Sequence, residues 1–269
     1  MNDFSTTLKT WRAARRYSQL DLAMQAEISA RHLSFLETGR ARPSREMVER
    51  LGEALELPLV ARNQMLTHAG FAVRYATRNW NDEAMAPIRR AVSRQLERHM
   101  PYPGVAVDRV WTIRQANPAA IALFAPFGVG VGGSLLELMM SEILPQVVEN
   151  WPEVAHQAAL RLRTESAAQG GIPEFVEAIQ YLTAAASACA PTSKPVVPTV
   201  LRMGEQRLSM FATISQFGTP EDLLLDDLKI ELYYPMNEAT VQIFETLAAN
   251  WTVSINRASV IKSKLNAYG

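Results

Sequence analysis

Apolar residues recur three and four positions apart along the first quarter of the chain, at Leu8, Trp11 and Ala14, at Leu33 and Leu36, at Met47, Val48, Leu51 and Leu55, and at Leu59, Met65 and Leu66. That spacing predicts amphipathic helices. Ser18 lies three residues before Asp21, the reciprocal capping arrangement that opens a helix, so a helix starts near Gln19 with Leu20, Leu22 and Ala23 as its apolar positions. It is short, because Ser29 is a second N-cap candidate ahead of Leu33 and Leu36. Gly39 supplies the left-handed residue that closes the next helix. The reading is two short helices joined by a tight turn, with Ile28 packed between them, inside an all-α five-helix unit of about 70 residues.

Periodicity fails after Gly70, in FAVRYATRNWND, which predicts a linker over 71–84 and a second domain over 85–269. Ala86 to Met100 reads as a helix with Ile88, Val92 and Leu96 on one face. VAVDRVWTIRQAN has two β-branched runs around Asp108 and Arg109, a hairpin pattern. Asn117 caps a helix with Pro118 at its first position. Leu135–Leu138, Val147–Ala168 and Pro173–Leu182 favour helix, and TAAASACAPTSKP is a small-residue loop. Strand candidates follow at Val196–Met203, Arg207–Phe217 and Leu228–Tyr234, the first two joined at Gly204-Glu205, and a last helix starts near Asn237. This order predicts an α+β domain with a five-stranded antiparallel sheet and helices on one side.

Charge divides the chain at the same place. The total is neutral, with 27 Lys or Arg and 27 Asp or Glu, but the residues to Trp80 hold 12 basic against 8 acidic side chains and the remainder 15 against 19. A basic head on an acidic body suggests a polyanion partner for the head alone. With 48 % apolar and 20 % charged residues the composition is that of a soluble protein, and no apolar run reaches the length of about 18 residues that spans a bilayer. A cytoplasmic location is expected. Cys189 is the only cysteine, so no internal disulfide and no cysteine metal site is expected. His68, His99 and His156 are isolated, and no metal, cofactor or catalytic constellation is expected. Glu221-Asp222 and Asp226-Asp227 read as a solvated turn. Gly128, Gly130 and Gly133 spell G-x-G-x-x-G, but a dinucleotide site needs a strand immediately before the glycines. Helix precedes them here, and a flexible loop is expected.

RRYSQLDLAMQAEISARHLSFLETGRARPSREMVERLGEAL resembles the Cro/C1-type (XRE-family) helix-turn-helix, matching at Ser18-Gln19, Leu22-Ala23, Ile28-Ser29, Leu33-Ser34, Leu36-Glu37, Gly39-Arg40 and Pro43. Glu27 departs from the pattern, occupying the turn position where the family usually has glycine. In this motif the second helix enters the major groove of double-stranded DNA with its N-terminal residues at base edges. The resemblance therefore implies base-facing roles for Ser29, Ala30, Arg31, His32 and Ser34. Arg31 can fork onto a guanine, and Ala30 can meet a thymine methyl. Gln19, Arg40 and Arg42 are expected at phosphates.

In the body, APIRRAVSRQLERHMPYPGVAVDRVWTIRQANPAA resembles the ligand-binding domain of MmyB-like transcription regulators, and ENWPEVA resembles that family's tryptophan-containing helix start. The resemblance implies a PAS-like fold that accommodates small apolar or fatty-acid-like molecules. Candidate lining residues are Trp111, Ile113, Phe124, Phe127, Leu138, Met139, Met140, Met210, Ala212 and Ile214, each of which could equally be core. The chain thus reads as a DNA-binding, ligand-responsive transcription regulator, without enzyme activity and expected to form a homodimer. The alternative is a DNA-binding protein whose body is only a dimerisation or protein-interaction module.

Overall fold

The computed structural model describes residues 3–186, 195–218 and 220–248. Cys189 lies outside them. The chain divides into two compact units. One holds the residues up to Arg78 together with Thr164–Pro173 and Gly218–Asp226. The other holds Asn79–Arg163, Glu174–Phe217 and the residues from Asp227 on.

The first unit contains α1 (Asp3–Ala14), α2 (Gln19–Gln25), α3 (Ala30–Glu37), α4 (Arg45–Ala54) and α5 (Leu59–His68). Local capping sets these boundaries. Ser18 accepts from the Asp21 amide while the Asp21 carboxylate accepts from that of Ser18, and Ser29 and Ser44 each cap the helix that follows. Phe4, Leu8, Leu22, Leu33, Leu36, Leu51 and Leu55 form the buried core, with Ile28 packed against it. Trp11 closes that core, and a Cβ built on Gly170 would meet its ring at 2.4 Å.

Residues 71–78, read from sequence as the start of a linker, are bonded within this unit. The Asn63 carbonyl accepts from the amides of Arg74 and Tyr75, and its amide donates to the Tyr75 carbonyl at 2.8 Å. Arg78 pairs with Asp222 at 3.0 Å. Asp222 is buried and also accepts from the Leu224 amide, and Asp226 accepts from that of Leu59. The expected solvated turn is therefore corrected: Asp222 and Asp226 satisfy backbone amides and a guanidinium that would otherwise be unpaired.

The second unit is built on a five-stranded antiparallel sheet of β1 (Gly104–Val107), β2 (Ile113–Ala116), β3 (Thr199–Met203), β4 (Gln206–Gln216) and β5 (Lys229–Pro235), in the order β2-β1-β5-β4-β3. This is the PAS-like arrangement. The helices are α6 (Ala86–Arg98), α7 (Pro118–Phe124), α8 (Leu135–Met139), α9 (Leu144–Val147), α10 (Trp151–Ala168), which runs on into the first unit's segment, α11 (Phe175–Ala185) and the short α12 (Leu223–Asp227); residues 238–248 are also helical. Asn117 ties the first hairpin to α6 and α7. Its carbonyl accepts from Gly104 and Ala120, and its amide donates to the carbonyls of Leu96 and Tyr102, which uses its full hydrogen-bonding capacity in a buried place.

Two local expectations change. The helix expected from Val147 begins at Trp151, because Val148 bridges to Leu201 and the side chain of Asn150 bonds to Pro198 and Val200 on the approach to β3. The glycine run is no free loop. Gly132 donates to the Ile113 carbonyl at 2.8 Å, the Ile113 amide donates to Gly133 at 2.9 Å, and Thr112 bridges to Ser134. The run covers the open edge of β2, with Gly128 and Gly132 at positive φ.

Candidate functional site

In the first unit the exposed face of α3 carries the residues expected to read DNA. The Ser29 hydroxyl accepts from the His32 amide and thereby fixes the N-terminus of α3. Glu27, in the turn before it, has φ +53°, the left-handed conformation in which a Cβ costs roughly 1–2 kcal/mol. Ser29, Arg31, Arg40 and Arg42 are exposed, whereas Gln19, Ala30, His32 and Ser34 are half-buried. The Arg31 guanidinium lies 5.3 Å above the Phe35 ring, one turn along the same face. Gln19 is directed inward: its amide donates to Glu37 at 2.6 Å. Arg12 pairs with the same carboxylate through Nε at 2.6 Å and Nη2 at 3.2 Å. Gln19 thus holds α2 to the end of α3, where the sequence analysis has it reaching for phosphate. Leu20 and Met24, 60 % and 71 % exposed one turn apart on α2, were assigned no outward role.

The second unit contains a cavity of about 280 Å³ between the sheet and the helices. Leu123, Phe124 and Phe127 line it from α7 and the turn after it. Leu135, Leu138 and Met139 come from α8, and Trp151, Val154, Gln157, Ala158 and Arg161 from α10. Leu201, Met210, Ala212, Glu231 and Tyr233 form the sheet wall, and Trp111 lies between β1 and β2 in the chain. Of the nine lining residues committed as the site, seven come together here: Trp111, Phe124, Phe127, Leu138, Met139, Met210 and Ala212. Two do not. Ile113 is buried outside the cavity wall, and Ile214 is 45 % exposed. Met140, also considered, follows the end of α8 and is absent from the wall. Met210, Ala212 and Ile214 share one face of β4 by the strand's two-residue period, but the cavity stops at Ala212, itself exposed at the rim.

The polar part of the wall is what sequence reading missed. Arg161 Nη2 pairs with Glu231 Oε1 at 2.5 Å, with side chains 24 % and 5 % exposed. The guanidinium lies 4.3 Å over the Trp111 ring, a cation–π geometry. The Tyr233 hydroxyl donates to Glu231 Oε2 at 3.3 Å, and burial, then the neighbouring Glu231, pushes its phenol well above the ordinary value. Trp111 is held in this place with φ +62°. Asp108 stabilises the turn, accepting from the amides of Val110 and Thr112 and pairing with Arg114. The only sequence signal for Glu231 is an acid inside the otherwise apolar strand KIELYYP.

A model of the family described as MmyB-like transcription regulator ligand binding domain matches residues 88–247, more than half of the chain, and a helix-turn-helix domain model matches residues 3–65. The chain belongs to the MmyB-like transcription regulators. It is a DNA-binding regulator with a ligand-binding domain, and the cavity lies among the residues matched by the ligand-binding family. Both matches are to regulator domains, not to enzyme families. No curated protein matches this MmyB-like regulator. Among solved structures, one described as an RNA-binding Light-Oxygen-Voltage receptor is 14 % identical with a TM-score of 0.27, over 93 % of this chain. The chain spans 64 % of that receptor's length. A likeness at that score carries no argument. Among the described residues no helix is long and apolar enough to cross a membrane, and no cluster of His, Cys, Asp or Glu could hold a metal ion.

Proposed function

We propose that this XRE-type MmyB-like regulator binds a small apolar, fatty-acid-like effector in the α10–sheet cavity and changes its DNA affinity in response. The observation that carries the reading is the cavity itself. Its walls are apolar except at Gln157, Arg161, Thr199, Glu231 and Tyr233, the composition typical of a site for a small organic molecule. At about 280 Å³ it exceeds the roughly 150 Å³ that admits benzene in an apolar interior. Met139 and Met210 suit a variable apolar chain because their side chains are pliable.

At the other end Arg31, with Ser29, Ala30, His32 and Ser34, reads base edges, while Arg40 and Arg42 grip phosphates. The regulator works in the cytoplasm as a homodimer, each head on one half-site, since two such heads one helical turn apart match a palindromic operator. The residues to about 70 form the reading head and those from about 85 the sensing and dimerising domain. The test separates reading from gripping. Arg31→Ala should weaken operator binding by roughly 1–3 kcal/mol and blur preference at one base pair, and Arg42→Ala should weaken all sequences alike and lower the salt slope by about 1. Equal losses for Arg31→Ala on operator and random DNA would remove Arg31 from the reading face.

A further inference from the structure

The cavity's wall contains one cation and one anion, and they are paired. Arg161 and Glu231 are the only charged residues among those lining it, their side chains meet at 2.5 Å, and Tyr233 adds a second donor to the same carboxylate at 3.3 Å. The polar end of the pocket is thus charge-balanced before any ligand arrives. Beside it, Gln157, one helical turn before Arg161 on α10, and Thr199 on β3 offer neutral donors and acceptors to the same space.

From this geometry we infer that the effector carries a neutral hydrogen-bonding head, such as a hydroxyl or primary amide, on its apolar body, and that an ionised carboxylate head is selected against. This rests on reading the cavity as the effector site. A carboxylate entering there meets an arginine whose charge Glu231 already cancels, so the pair gives it little net attraction. It would still lose its water, and a third charge among apolar walls is left uncompensated. A hydroxyl or amide loses far less on leaving water and can hydrogen-bond at the pair's edge, at Gln157 or at Thr199. A cationic head meets the same obstacle with the sign reversed.

The test compares 1-decanol, decanoate and decylammonium, three heads on one chain, by titration of the full-length protein at pH 7.5 with tryptophan fluorescence as the readout, since Trp111 and Trp151 line the cavity. In the wild type 1-decanol should bind at least tenfold more tightly than either ion. That preference alone would follow from any apolar pocket, so the variants decide. Glu231→Gln leaves the arginine unbalanced and should improve decanoate relative to 1-decanol by at least tenfold. Arg161→Met leaves the carboxylate unbalanced and should improve decylammonium relative to 1-decanol in the same measure. Either variant suffices if the other does not fold. Decanoate binding the wild type as tightly as 1-decanol, or ratios that move in neither folded variant, overturns the inference and leaves the cavity as an effector site. Failure of all three compounds to bind the wild type overturns the effector-site reading itself.

Discussion

Arg12 and Glu37 form an unequal pair, and the inequality predicts which half the helix-turn-helix unit can spare. The Glu37 side chain is 1 % exposed and that of Arg12 20 %. Glu37 accepts two bonds from Arg12 and one from Gln19, whereas Arg12 also donates to the Tyr17 carbonyl at 2.8 Å and reaches solvent. The hydrogen bond to Glu37 pushes the Arg12 pKa further above its ordinary value, with burial opposing. Breaking a buried pair by removing one partner costs about 3–5 kcal/mol because the other charge is left uncompensated. Arg12→Met strands the buried carboxylate with a single amide donor, so its cost falls in that range. Glu37→Gln strands only a partly solvated guanidinium that keeps a carbonyl partner, and should cost about 1–2 kcal/mol. With roughly 4–8 °C per kcal/mol for a domain of this size, Arg12→Met lowers the melting temperature of the helix-turn-helix unit by on the order of 15–25 °C. Combining Arg12→Met with Glu37→Leu removes both charges and should recover most of the loss. Calorimetry on the full chain measures all three variants. A Glu37→Gln loss equal to or larger than that of Arg12→Met, or strict additivity in the double variant, would refute the reasoning.

Glu27→Gly relieves the left-handed turn before α3, where Glu27 has φ +53°, and should stabilise the unit by about 1 kcal/mol net of glycine's greater unfolded freedom; thermal melts read it, and a loss of stability contradicts it. Ala158→Phe, on α10 facing the cavity, should be neutral or stabilising by about 1 kcal/mol, since a ring that fills empty space gains burial. Overpacking a solid core instead costs roughly 1–3 kcal/mol, so a destabilised variant would mean there is no usable space. Ala158 is the better position for this test than the exposed Ala212, whose added side chain could turn to solvent.

What was legible in the sequence was local. Ser18 with Asp21, Ser29 and Ser44 announce their helices within three residues of where they act, and the two-residue period of β4 places Met210 and Ala212 on one wall. The same period points to Ile214, which fails because the cavity ends before it. Arg161 and Glu231 meet across 70 residues of sequence, and nothing near either residue signals the other. A similar reason explains Gln19. At the start of a helix it looks like a phosphate hook, but a buried glutamate 18 residues later claims its amide. The glycine run was misread because the partner that orders it, the free edge of β2, belongs to tertiary structure.

The claim that joins both units of the chain is that what fills the cavity sets DNA affinity. The direct measurement is fluorescence anisotropy of an operator fragment, selected from random duplex DNA, titrated with delipidated full-length protein in the absence of ligand and then with saturating 1-decanol, with Ala158→Phe measured in parallel. Coupling free energies between sites typically correspond to about 5–150-fold in affinity. The account predicts a shift within that range for the wild type and none for Ala158→Phe, whose cavity is already filled. A wild-type operator Kd that is the same in delipidated and saturated protein would contradict it.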